Sequence, residues 1–269
     1  MTASPILFER DGDVAIITLN EVAKLNALSL DLQRQLRARL AEIREDRSVR
    51  ALLLTGAGKA FCVGADISTE GPMSPGTPGL GQRTADLMRE LSNRIVIDLR
   101  ELPVPVVVAL NGAAAGAGVG IALAADIVVA ARSAYFYLPF VPKLGLLPDL
   151  GATWFLTRLL GRARASALTL LGERLPAETA AEWGLIWSCA GDERLREEAL
   201  ALAQRLARLP ASRALEARRA FDAGFANTLD EQLVYETSRQ RELLEQPEFA
   251  EGVQAFLERR EPVFGSRQG

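Results

Sequence analysis

The chain has 269 residues, 49% of them hydrophobic, with a formal net charge of −3 and no histidine. That is enough apolar material for one substantial core and a smaller satellite, and a near-balanced charge without a basic cluster argues against nucleic acid as a partner. Without imidazole, Ser-His-Asp and Cys-His nucleophile systems and imidazole metal sites are excluded, so acid–base work at neutral pH falls to Asp, Glu, Lys, Tyr or Cys.

Cys62 and Cys189 form no metal-ligand spacing, so no metal is expected and a reducing cytoplasm is the expected setting. The opening "MTASPILFERDGD" lacks the basic and apolar halves of a cleaved signal. "ILFERDGDVAIITLN" reads as two strands around a Gly turn and "VRALLLTG" as a buried strand. Between them Leu32, Leu36, Leu40 and Ile43 recur at helical spacing, with Ser29 or Asp31 as the cap. The Gly-, Pro- and Ser-rich stretch Ser68 to Gln82 reads as a surface loop, and helix resumes at about Ala85 and stops before Pro103. The uncharged run Leu102 to Ala125 reaches the length of a membrane span. Its prolines, Asn-Gly step and alternating glycines divide it into a buried strand, a turn and a short helix, so no membrane span is expected. "DIVVAA" gives another strand, and from Gly151 onward nearly everything reads as helix. The expected division is residues 1–200 as a core and 201–269 as an all-helical region.

Two glycine-bearing turns follow buried strands, in "LLLTGAGKAFCVGADI" and "VVVALNGAAAGAGVGIALAADI". "GAGVGI" is not a dinucleotide fingerprint, because the third glycine would fall at Ile121 and the nearest following acid is Asp126; "TGAGKAF" lacks the spacing of a P-loop. Small residues at such turns leave backbone N–H groups bare, and two converging amides form an oxyanion hole; equally, they permit tight helix–strand packing. One carboxylate, Asp149 in "KLGLLPDLGATW", stands in an apolar stretch as either an acid–base group or the cap of a helix starting near Gly151.

"GKAFCVGADI", "ALNGAAAGAGVGIALAADIVVAA" and "LGLLPDLGATWFLTRLLGRARASALTLLGERLPAETAAEWGLI", with "KLNALS" before them and "AFLERREPVF" after, resemble segments of the crotonase superfamily, the enoyl-CoA hydratases and isomerases. The likeness runs from Ile6 to Phe264. It implies an α/β fold, a crotonase-like spiral of ββα units with a C-terminal all-helical region. It implies an acyl-CoA substrate, no cofactor beyond its coenzyme A moiety, and a homotrimer or hexamer assembled through the helical tail. By position, Ala65 and Ala117 match the family's oxyanion amides. Lys24, Leu25 and Ala27 match the turn lining the adenine end of coenzyme A, with Ala65, Asp66 and Ile67 as the facing contacts. The two glutamates of the hydratases are absent, Gly120 and Phe140 standing in their places. In the isomerase branches, including those that rearrange ring epoxides, the aspartate of "PDxG", here Asp149, shuttles a proton. The resemblance therefore implies an isomerase, with a hydratase or thioester hydrolase using another acid (Glu101 or Glu70), or a non-catalytic acyl-CoA binder, as alternatives. Tyr135, Phe136, Tyr137 and Phe140 are expected to shape the acyl pocket, and Trp154 to help make Asp149's surroundings apolar.

Overall fold

The computed structural model describes residues 4–66 and 78–265. The chain enters through an antiparallel hairpin, β1 (Ile6–Asp11) and β2 (Val14–Leu19). A 3-10 turn, Val22–Lys24, leads to helix α1 (Leu30–Glu45). Of the two candidate caps Ser29 is the one used, its hydroxyl accepting from the Leu32 N–H at 3.1 Å. The predicted stripe of Leu32, Leu36, Leu40 and Ile43 is buried, as its period requires.

Three ββα turns follow. The first is β3 (Ala51–Gly56), β4 (Ala60–Cys62) and α2 (Leu80–Leu87), which runs through a π-helical turn, Met88–Ser92, into α3 (Asn93–Arg100). The second is β5 (Val106–Leu110), β6 (Ala113–Ala115) and α4 (Ala117–Leu123). The third is β7 (Ile127–Ala131), β8 (Tyr135–Tyr137) and α5 (Ala152–Leu171). Then come β9 (Arg174–Pro176), α6 (Ala177–Glu182) and β10 (Ser188–Ala190). The first strand of each turn joins a six-stranded sheet, β1-β2-β3-β5-β7-β10, parallel from β2 onward; the second joins a four-stranded sheet, β4-β6-β8-β9. β5, "VVVAL", is buried at every position, the pattern of a parallel strand covered on both faces. This is the expected spiral.

Three sequence readings need correction. The stretch read as helix from Gly151 onward contains β9 and β10, β6 interrupts what read as a turn, and β8 lies where no element was expected. Each has three residues, too few for a period of two to show. The helix before Pro103 begins at Leu80, ahead of the expected Ala85.

Helix α7 (Leu195–Leu206) buries Leu195, Ala199 and Ala203 and packs on β3, β5 and β7. Residues 200 and 201, where the chain was divided, both lie inside it. The helices beyond are α8 (Arg213–Ala226), α9 (Leu229–Leu244), opened by a Thr228–Glu231 capping box, and α10 (Pro247–Glu258). Arg218 ties α8 to the core. Its guanidinium is buried and donates to the carbonyls of Arg100, Leu102 and Val104 and to both oxygens of Asp126, at 2.6 to 3.0 Å. Among the described residues no helix is long and apolar enough to cross a membrane.

Candidate active site

The two glycine turns meet. Gly64 has φ +90° and Gly116 has φ +53° with ψ −129°, backbone that L side chains rarely adopt. A Cβ on Gly64 would stand 2.9 Å from the Ala117 nitrogen and 3.4 Å from Gly116 Cα, so its absence is what lets the first turn lie against the second. The Gly116 N–H is spent on the Tyr137 carbonyl at 2.9 Å. Ala117 then opens α4, where the first N–H groups have no partner inside the helix. On the other side, the Leu28 N–H donates to the Gly64 carbonyl at 2.8 Å, and Leu28 and Ala65 form a parallel bridge. Among the described residues the N–H groups of Ala65 and Ala117 have no hydrogen-bond acceptor. Two uncommitted amides on touching turns can stabilise charge on an acyl oxygen.

The turn from Lys24 to Leu28 is fastened to this pair of loops. Leu25 and Asn26 both have left-handed backbone, φ +53° and +57°, which sets the sharp entry into α1. Lys24 Nζ meets Asp66 Oδ2 at 2.8 Å, bridging the turn to the residue after Ala65. Leu25 is exposed at the tip and Ala27 is buried. Of the residues expected at the coenzyme A end, Lys24, Leu25, Ala27, Ala65 and Asp66 thus fall in one neighbourhood; Ile67, like Glu70, lies outside the described residues.

Three polar side chains not singled out from the sequence hold these loops. Asn26, fully buried, donates to the carbonyls of Ala57 and Ala60 at 3.0 and 2.8 Å. Asn111 accepts from the Gly56 N–H at 3.0 Å and donates to the Gly58 and Ala60 carbonyls at 3.1 and 3.2 Å. Gln33 donates to the Leu28 carbonyl at 2.9 Å and accepts from the Ser92 hydroxyl at 2.6 Å. The available signal was an Asn flanked by residues that read as buried, in "KLNALS" and "VALNGAAA".

Asp149 sits on the turn before α5. The capping alternative fails, because the N-cap is Gly151 and no side-chain cap hydrogen bond forms there among the described residues. Asp149 contributes its main-chain carbonyl, which accepts from the Ala152 N–H at 2.9 Å. Its Oδ1 is buried and has no hydrogen-bond partner among the described residues. Burial raises the acid to about 6, opposed only by its own N–H. An acid in that range is a competent base at neutral pH.

At the two positions where hydratases carry glutamate, there is no acid. Gly120 lies inside α4, and the buried Phe140 ring reaches to 3.7 Å from the point where a Gly116 Cβ would be. Glu101 is exposed at the end of α3 and pairs with Arg44 at 3.6 Å. Burial pushes the Cys62 thiol up to about 12, which leaves it inert. Phe136 is buried within β8. Trp154 lies under the Arg158 guanidinium at 4.0 Å, packs edge-on against Phe155, and lines a groove of about 750 Å³ with Trp187, Phe221 and Phe225. That groove contains neither Asp149 nor the two alanines; it is the seam between the core and α8.

Residues 9–267 match the model of the enoyl-CoA hydratase/isomerase family. The 1,2-epoxyphenylacetyl-CoA isomerase of Escherichia coli (strain K12) is 43% identical over 261 residues, covering 96% of this chain and 97% of that protein. A Rhodobacter capsulatus protein named "Probable enoyl-CoA hydratase" is 41% identical over 267 residues, covering 99% and 100%. The crystal structure of an enoyl-CoA hydratase from Bacillus anthracis superimposes with a TM-score of 0.87 at 33% identity, covering 97% of this chain and 98% of that one. The paired amide turns, the spiral that brings them together and a match across nearly the whole chain agree: this protein belongs to the enoyl-CoA hydratase/isomerase family.

Proposed function

We propose that the protein is an acyl-CoA isomerase in which Asp149 carries the proton. The observation that supports this reading best is the Asp149 carboxylate, whose buried Oδ1 has no partner among the described residues and whose pKa is raised to about 6, in a site with Gly120 and Phe140 where two glutamates would serve hydration. In this reading the Ala65 and Ala117 amides bind the thioester oxygen of a 3-enoyl-CoA. Asp149 takes a proton from the α-carbon; the C–H electron pair moves into an enolate that the amides hold. The same carboxyl returns the proton to the γ-carbon, and the double bond comes to rest between α and β. The substrate's atoms are conserved, so no water or cofactor is consumed beyond the coenzyme A that the substrate carries. Rearrangement of a ring epoxide in an arylacetyl-CoA draws on the same enolate, and the 43% identity to the isomerase of that class is the reason to include it in the panel. The working form is proposed to be a homotrimer or a hexamer built through α8 to α10.

The test is turnover of 3-enoyl-CoA, 2-enoyl-CoA and epoxidised arylacetyl-CoA by the parent protein and by Asp149→Asn. The parent is expected to isomerise faster than it hydrates. The variant should lose about 10²- to 10⁴-fold in isomerase turnover, the usual worth of a positioned base, with thioester binding by calorimetry nearly unchanged. Hydration as fast as isomerisation would shift the reading to a hydratase with another acid. Thioester binding with no turnover of any substrate would leave a binding protein.

A further inference from the structure

Gly120 is more than a missing glutamate. It lies in the middle of α4, buried, and its Cα faces the main chain of the turn that carries Asp149. A Cβ built there would overlap the Leu150 carbonyl oxygen, with the carbonyl carbon at 2.9 Å and Leu150 Cβ at 3.1 Å. These are main-chain atoms or atoms rooted on it, so the neighbour cannot swing aside as a side-chain end would.

Neither partner in this contact has room to retreat. On the opposite side α4 is seated on β4 by the same device, since a Cβ on Gly118 would overlap the Cys62 carbonyl oxygen. The Asp149 turn is held too. Leu150 keeps a left-handed φ of +44° although it is not glycine, and its side chain is buried. The Asp149 carbonyl accepts from Ala152, and the Gly151 carbonyl accepts from Trp154 and Phe155, at 2.9 to 3.0 Å. With helix and turn both clamped, any atom added between them must move the residue next to Asp149.

We propose that Gly120 is a positioning residue: the bare Cα at this point seats the Asp149 carboxylate, and a side chain at 120 and a correctly held Asp149 exclude one another. The inference rests on the reading that Asp149 moves the proton. It adds a specificity consequence. The space through which a second acid would enter from α4 is filled by the turn that supplies the first, so Gly120→Glu does not convert the site to hydration.

The test compares Gly120→Ala, Asp149→Asn and the double variant on a 3-enoyl-CoA, with binding of saturated butanoyl-CoA measured beside turnover. A displacement of about 1 Å costs on the order of 10²-fold, so kcat of Gly120→Ala should fall by about that factor while the butanoyl-CoA Kd stays within about threefold. The double variant should be no slower than Asp149→Asn, because both changes act through one group. Losses that multiply in the double variant would overturn the role given to Gly120 and leave Asp149 standing. Parent-like turnover of Asp149→Asn would bring down the proton-shuttle reading and this proposal with it. Should Gly120→Ala fail to fold, Leu150→Gly loosens the same turn from its other side while accepting the positive φ. It is expected to lower kcat by about tenfold, again without further loss in the Asp149→Asn background; a multiplied loss there would overturn the proposal. Gly120→Glu should hydrate 2-enoyl-CoA no faster than the parent, and a gain in hydration with isomerisation retained would refute the exclusion.

Discussion

Helix α4 is buried at all seven of its positions and helix α9 at none of its sixteen. The first is built from Ala, Gly, Val, Ile and Leu, because its backbone must touch Cys62 on one side and Leu150 on the other. Its chemistry is accordingly main-chain chemistry, an amide at its start. The second has a Thr228–Glu231 capping box and an Arg239–Glu242 ion pair of its own, and Arg239 also pairs with Glu216 of α8. Its Leu229, Leu233 and Val234 are more than half exposed. Helices of this length draw most of their stability from a packed face. The core therefore supplies its own packing, while α9 carries a face that the single chain does not cover.

The sharpest way to break this comparison is at the tie between the regions. Arg218→Met removes the buried guanidinium and leaves Asp126 and the carbonyls of Arg100, Leu102 and Val104 without it. Breaking a buried pair from one side costs about 3–5 kcal/mol, to be read as a lowered midpoint in urea unfolding. A loss under about 1 kcal/mol would mean that α8 is held to the core by its apolar contacts.

A somewhat smaller effect is expected on the open face. If α9 is completed by other copies of the chain, the parent should run as a trimer or hexamer in light scattering. Leu229→Glu and Val234→Glu, both on exposed positions, should then dissociate it, each forfeiting about 1.5–3 kcal/mol of burial. A parent that is monomeric at micromolar concentration would sink this expectation and leave α9 as a solvated helix.

The two regions also differ in how much of them the sequence disclosed. Strands β3 and β5 and helix α1 announce themselves through long apolar runs or a 3.6-residue stripe. The three-residue strands β6, β8, β9 and β10 have no such signal, because they are specified by neighbours in the four- and six-stranded sheets. At the site, the motif placed Ala65 and Ala117. For Asp149 the residues alone left two roles open, cap or base, and only the family resemblance favoured the base. What separates the roles is where Oδ1 points, and only the fold determines that. Asn26, Gln33 and Asn111 escaped notice because their partners lie far off in sequence, Ala60 for the first, Ser92 for the second and Gly56 for the third. The significance of Gly120 was half legible: the absence of an acid was visible, the pressure of the Leu150 carbonyl against it was not.

The smallest expected effect tests whether burial is what tunes Asp149. Burial raises its pKa from 3.8 to about 6 in the folded chain, so the folded state holds a proton in a range where the unfolded chain has lost it. Stability contributed by the protonated group is complete below about 3.8 and is lost as pH rises through about 6. At neutral pH the ionised carboxylate thus destabilises the fold, by at most about 3 kcal/mol and by about 1–2 once its partial exposure is allowed for. Asp149→Asn, which cannot ionise, should be the more stable protein at neutral pH. The difference should shrink as pH falls from about 6 toward 3.8 and vanish below it. The parent's isomerase turnover should fall over the same interval, because the base must be ionised to accept the first proton. Urea unfolding of both proteins across this range, beside the pH profile of turnover, reads both consequences of one desolvated carboxyl. A stability difference that did not vary with pH would assign the cost to shape, and a turnover limb without a matching stability change would assign the base to another residue.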